Sequence, residues 1–229
     1  MINANRLRSL VRLAVAAAML PMMMLPMSLA VNATEALRTA AARGDGAAVG
    51  KLISAKSPLD GKDGQGQTAL LLAVAAGHTA VAIALIDAGG DINAVAANMD
   101  TPWLLAGARG RAEVLQHMIP RGPDLSLRNR YGGNALIPAC ERGHVEAVRV
   151  LLTTRIQVDH VNNLGWTCLL EIVILSQGGP RDIEVTRLVL DAGANPNLAD
   201  KDGVPPLAHA RKRGFKEIAR LIEAKGGKS

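Results

Sequence analysis

Apolar and polar positions recur along the chain in blocks of one fixed length. With Thr68 taken as position zero, steps of 33 residues reach Thr101, Asn134 and Thr167, and a step back reaches Glu35. Position two is then Leu37, Leu70, Trp103, Leu136 and Leu169; position five is Ala40, Ala73, Ala106 and Ala139; position nine is Gly44, Gly77, Gly110 and Gly143. A sixth block, delayed by five residues, starts at Pro205 and restores Leu207, Ala210 and Gly214. Self-similarity at such a period marks stacked supersecondary units rather than one core closed on itself.

Each block predicts two helices. The polar residue at position zero can cap a helix A of about two turns, which ends at the glycine of position nine, where left-handed backbone is needed. Val81, Ala84, Leu85 and Ile86 give an antiparallel helix B its apolar face, and Gly89 and Gly122 stop such helices. Small residues such as Ala73 and Ala76 let neighbouring units approach closely. Polar, glycine-containing stretches such as Asp63-Gly64-Gln65-Gly66 and Arg130-Tyr131-Gly132-Gly133 separate the blocks. No block buries its core alone, so the end blocks must tolerate water on one side.

The second block reads Gly66-Gln67-Thr68-Ala69-Leu70-Leu71-Leu72-Ala73, then Gly77-His78, then Gly89-Gly90-Asp91-Ile92-Asn93. It resembles the ankyrin repeat, whose Thr-Pro-Leu-His-x-Ala core and period it follows. The fifth block echoes it in Thr167-Cys168-Leu169-Leu170 and Asp191-Ala192-Gly193-Ala194-Asn195. The resemblance implies an all-α repeat solenoid of about six helix-turn-helix repeats, near 34–63, 64–97, 98–129, 130–162, 163–200 and 201–229, joined by projecting β-hairpin-like loops.

Departures from regularity are informative. Repeat five lacks the glycine at position nine and carries Ser176-Gln177-Gly178-Gly179-Pro180-Arg181, which should lengthen the turn between its helices. Pro138 should bend or shorten helix A of repeat four, and Trp103 is expected to fill core. Met99 replaces the loop glycine found at Gly66, Gly132, Gly165 and Gly203.

Residues 1–33 have a different character. Arg6, Arg8 and Arg12 precede a nearly unbroken apolar run from Leu13 to Leu29, and small residues follow at Ser28-Leu29-Ala30 and Val31-Asn32-Ala33. That order is expected of a cleaved secretory signal, placing residues 34–229 in a bacterial periplasm. The formal net charge of the whole chain is +6, and removing those three arginines leaves +3. The positive excess sits in the last repeat, where Arg211, Lys212, Arg213, Lys216, Arg220, Lys225 and Lys228 outnumber Glu217 and Glu223. A solvated capping face explains it better than docking on a membrane surface, and an exported chain with only four aromatics is not expected to bind nucleic acid.

Chemistry-bearing residues are scattered. His78, His117, His144, His160 and His209 lack metal-site spacing, so no metal is expected, and no nucleophile elbow, P-loop or dinucleotide fingerprint occurs. Neither cofactor nor catalysis is expected; an unrecognised hydrolase is the enzymatic alternative. Cys140 and Cys168 lie in adjacent repeats. If their A helices stacked level, about 10 Å apart, the two Cα atoms would be roughly 12 Å apart, beyond the about 7 Å a disulfide spans, so two reduced thiols are expected.

The resemblance implies a non-enzymatic protein–protein interaction scaffold, a monomer whose partner docks on the concave face made by the hairpins and helix A. Carried over position by position, that face offers Gln65 and Gln67, Asn98, Met99 and Asp100, Arg130 and Tyr131, Leu164 and Trp166, and Lys201 and Asp202. Tyr131, Leu164 and Trp166 are the large side chains, although Trp166 could equally cover its neighbouring repeat. The partner would be another exported protein, one it supports or, in an immunity-type arrangement, a toxin or enzyme it neutralises.

Overall fold

The computed structural model describes the backbone from Met27 and side chains from Val31 through Ser229. The expected signal, residues 1–33, lies for the most part outside the described residues. Among the described residues twelve α-helices form six antiparallel pairs: α1 (Met27–Arg43) with α2 (Gly46–Ser54), α3 (Ala69–Ala76) with α4 (Thr79–Asp87), and α5 (Pro102–Ala108) with α6 (Ala112–Met118). The series continues with α7 (Leu136–Glu141) and α8 (Val145–Leu152), α9 (Cys168–Leu175) and α10 (Pro180–Asp191), and α11 (Pro206–Lys212) and α12 (Lys216–Ala224). Among the described residues there is no strand, and none of these helices is long and apolar enough to cross a membrane.

Position zero caps helix A as the pattern requires. The hydroxyls of Thr68, Thr101 and Thr167 accept from the backbone N–H three residues on, and the Asn134 carboxamide oxygen does the same for Ile137. In repeat one Glu35 is no cap, because α1 already runs through it from Met27. Pro138 falls in the first turn of α7, where a missing N–H removes no helical bond, and α7 is the shortest A helix at 6 residues. The glycines at position nine adopt left-handed φ near 61–81°.

Repeat five ends its helix A without a glycine, as expected, for the cap of α9 is Ser176 in extended backbone. Gly178, two residues on, takes φ 69° and lies beneath the Phe215 ring, as Gly44 and Gly110 lie beneath His78 and His144. The insertion does not all go into the turn: α10 has 12 residues against 9 in α4, and Asp182 at its third position accepts from the N–H of the cap residue Gly179 at 2.9 Å.

One apolar cluster runs the length of the stack from Leu37 to Ile222, with Trp103, 1% exposed, filling core as anticipated. The A helices of repeats three, four and five touch through position six of one repeat and position one of the next. Gly107 meets Ala135 so closely that a Cβ at Gly107 would sit 2.5 Å from the Ala135 carbonyl oxygen. Cys140 and Cys168 occupy this same pair of positions one repeat later. Their Cα atoms are 5.6 Å apart and the sulfurs are bonded, which overturns the expectation of reduced thiols. The error lay in stacking the helices level. Small side chains let them close up, and the contact register offsets them by five residues, cancelling the axial separation that seemed to forbid a bridge.

Candidate functional site

Four of the five described hairpins are built by the same device. An Asp or Asn side-chain oxygen accepts the backbone N–H groups two and four residues on: Asp63 from Gln65 and Gln67, Asn129 from Tyr131 and Gly133, Asn162 from Leu164 and Trp166, Asp200 from Asp202 and Val204. The loop is thus pinned locally and its register is the same in every repeat. Ala96 stands in that place in repeat three, and there Asn98 accepts from Asp100 N–H and donates to its carboxylate. Neighbouring hairpins are tied by Ala97 N–H to Gln65 O and by Asn163 N–H to Tyr131 O, both at 2.9 Å.

This register sorts the candidate residues. Gln65, Asn98, Tyr131, Leu164 and Asp202 share the tip position and are all exposed, forming a row across the stack. Gln67, Asp100 and Trp166, two residues further, are half-buried. Trp166 packs against the core, so it covers a neighbouring repeat more than it offers a contact. Lys201 is committed as well, its ammonium donating to Asn163 O and its stem lying over Gly165. Met99 has φ 65°, close to the 72–86° of Gly132, Gly165 and Gly203, and its side chain is 48% exposed. With Tyr131 at 53% and Leu164 at 48%, it gives the tips of repeats three to five three large apolar side chains in water. Arg130 is exposed and stacks on the Tyr131 ring, with its guanidinium carbon 4.7 Å from the centroid.

Between the tips and the A helices of repeats three and four runs a groove of about 680 Å³, with Asn98, Asp100, Arg109, Arg130, Tyr131 and Arg142 on its walls. A smaller hollow of about 260 Å³ adjoins it in repeats four and five, lined by Tyr131, Ile137, Pro138, Leu164 and Leu175. Glu171 also lines this hollow, only 5% exposed, and accepts from Asn162 Nδ2 at 2.8 Å. Burial, reinforced by the negative charge of Glu141, pushes its carboxyl up to about 7. The sequence reading missed Glu171, although an acid on the otherwise apolar helix Cys168-Leu169-Leu170-Glu171-Ile172-Val173 was a visible signal. No group of three or more His, Cys, Asp or Glu side chains converges among the described residues. In the basic end repeat, Arg211 pairs with Glu223, Arg220 with Glu217 and Lys225 with Asp191, and Arg213 lies over Phe215.

Residues 103–200 match the description "Ankyrin repeats (3 copies)", and residues 65–97 match a single "Ankyrin repeat". The chain belongs to the ankyrin-repeat family. An ankyrin repeat domain from Acinetobacter baumannii AYE is 49% identical and superposes with a TM-score of 0.79, over 84% of this chain and 98% of that one. The protein YahD of Escherichia coli (strain K12), itself named for ankyrin repeats, is 48% identical over 103 residues, which are 44% of this chain and 51% of YahD, so the match spans about half of that relative. Cyclin-dependent kinase 4 inhibitor B of Bos taurus is 34% identical over 42% of this chain and 71% of its own length. Ankyrin-repeat domains are in general protein–protein interaction scaffolds, and their homologues are generally non-enzymatic.

Proposed function

We propose that this ankyrin-repeat protein is an exported, non-catalytic scaffold that grips one partner protein on the concave side of repeats three to five. The observation that carries this reading is the row of Met99, Tyr131 and Leu164. Val95, Val161 and Leu175 are also partly in water, but these three are held out on the tips of three consecutive repeats, whose backbones are pinned by Asn98, Asn129 and Asn162. A rigid surface loses little conformational freedom on docking, and a few anchors then suffice. Export is supported by the arginine-then-apolar leader and by the Cys140–Cys168 bond, since disulfides persist in oxidising compartments. A neutralising role toward an enzyme is the second reading, favoured by the relative that is by name a kinase inhibitor.

The test is crosslinking and capture from the native envelope with the wild-type protein and a Tyr131→Ala, Leu164→Ala variant side by side. One specific protein lost with the variant, while circular dichroism is unchanged, is the expected result. Equal recovery by both baits would refute the concave site.

A further inference from the structure

Four arginines and His144 line the larger groove, against two acids, Asp100 and Glu141. This excess is local, because residues 34–210 as a whole have 18 acidic and 16 basic side chains, a net charge of −2. On the B-helix side, Arg121, Arg149, Arg187 and Arg220 each meet a carboxylate. In the groove, Arg109, Arg111 and Arg130 have no carboxylate within 4.0 Å among the described residues, and Arg142 has only Glu141 at 3.9 Å.

Three of these guanidiniums, those of Arg130, Arg142 and Arg111, are nevertheless held in place. Arg130 lies on the Tyr131 ring, Arg142 Nη1 donates to Ala108 O at 2.6 Å, and Arg111 lies over Gly77 with its Nε buried and unpartnered. Pre-positioned forks that lack a carboxylate are poised to take one bidentately. His144 registers the same field: burial lowers its pKa first, and the charges of Arg142, Arg111 and Arg181 lower it further.

From this we infer that the groove takes an extended acidic segment of the partner protein, whose carboxylates bridge the arginines of successive repeats. The inference rests on the scaffold reading and gives its partner a chemistry. Arg109 and Arg142 hold position eight in consecutive repeats. Stacked A helices lie about 8–10 Å apart, and a polyproline-type strand advances about 9 Å in three residues, returning to the same face. Acidic side chains three residues apart would therefore meet Arg109 and Arg142 in turn.

Fluorescein-labelled (Glu-Pro-Pro)₃ and (Lys-Pro-Pro)₃ peptides test this by anisotropy on the full mature protein. The glutamate peptide is expected to bind at least tenfold more tightly and to weaken with salt. Arg109→Glu and, separately, Arg130→Glu should each reduce that affinity by tenfold or more, and Arg187→Glu on α10 should not. NMR titration should show the His144 imidazole pKa rising when the glutamate peptide is bound. Equal affinity for the two peptides, no measurable binding of either, insensitivity to both arginine variants, or tighter binding of an oligothymidylate would overturn the inference. If the Arg109 and Arg130 variants still capture the envelope partner while Tyr131→Ala, Leu164→Ala loses it, acid recognition fails and the scaffold reading stands. If all variants capture it equally, both fall.

Discussion

Met99 holds left-handed backbone where Gly66, Gly132, Gly165 and Gly203 hold it elsewhere, so its Cβ is strained in a way theirs cannot be. Its side chain is half in water and contributes little burial in return. Met99→Gly should therefore raise stability by about 1 kcal/mol, seen as a higher urea midpoint. If the midpoint falls instead, Met99 is packed more productively than its exposure indicates. Glu171 makes the opposite bargain, since its buried carboxyl holds a proton in the folded chain up to about pH 7 but in an unfolded chain only to about 4.5. Between those values the folded state binds more protons, so stability is greatest below about pH 4.5 on this account and declines as pH rises to about 7. Glu171→Gln should flatten that decline in a series of urea titrations across the window. An unchanged slope would place the pH dependence elsewhere.

Helix α7 joins a proline-shortened first turn to a covalent link with α9. The bridge closes a loop with a sequence separation of 28 residues, which confines the unfolded chain and is worth about 3–4 kcal/mol by loop-closure entropy. A Cys140→Ala, Cys168→Ala variant should unfold at lower urea by that amount, and the wild type in reducing agent should move toward it. A reduced wild type that unfolds as the oxidised one does would mean the bond contributes nothing. Gly107 and Ala135, at the same contact one repeat earlier, make the close approach without a bond. The disulfide thus fastens an existing contact and does not create one. Helix α10 shows how an insertion is absorbed when Pro180 at its first position and Asp182 at its third, holding the N–H of the cap residue Gly179, extend the helix at its start.

Across the whole stack, the repeating positions were readable because each answers to a local cause. Caps, helix-ending glycines and hairpin-pinning Asp or Asn residues act within about five residues of themselves, so the period, the helix pairs, the buried Trp103 and the row of tip residues all follow from one-dimensional order. Tyr131 and Leu164 could be named as tips for that reason. Trp166 could not be assigned to core or surface, because its burial depends on the neighbouring repeat. The fate of Cys140 and Cys168, the packing of Phe215 over Gly178, and the acid Glu171 in the hollow lined by Leu164 and Leu175 also depend on how one repeat is shifted against the next. So does the gathering of Arg109, Arg111, Arg130 and Arg142 into one groove. Periodicity gives each residue its position along the chain; the slant and closeness of stacking, tightest where small side chains meet at Gly107–Ala135 and Cys140–Cys168, choose which positions of adjacent repeats meet.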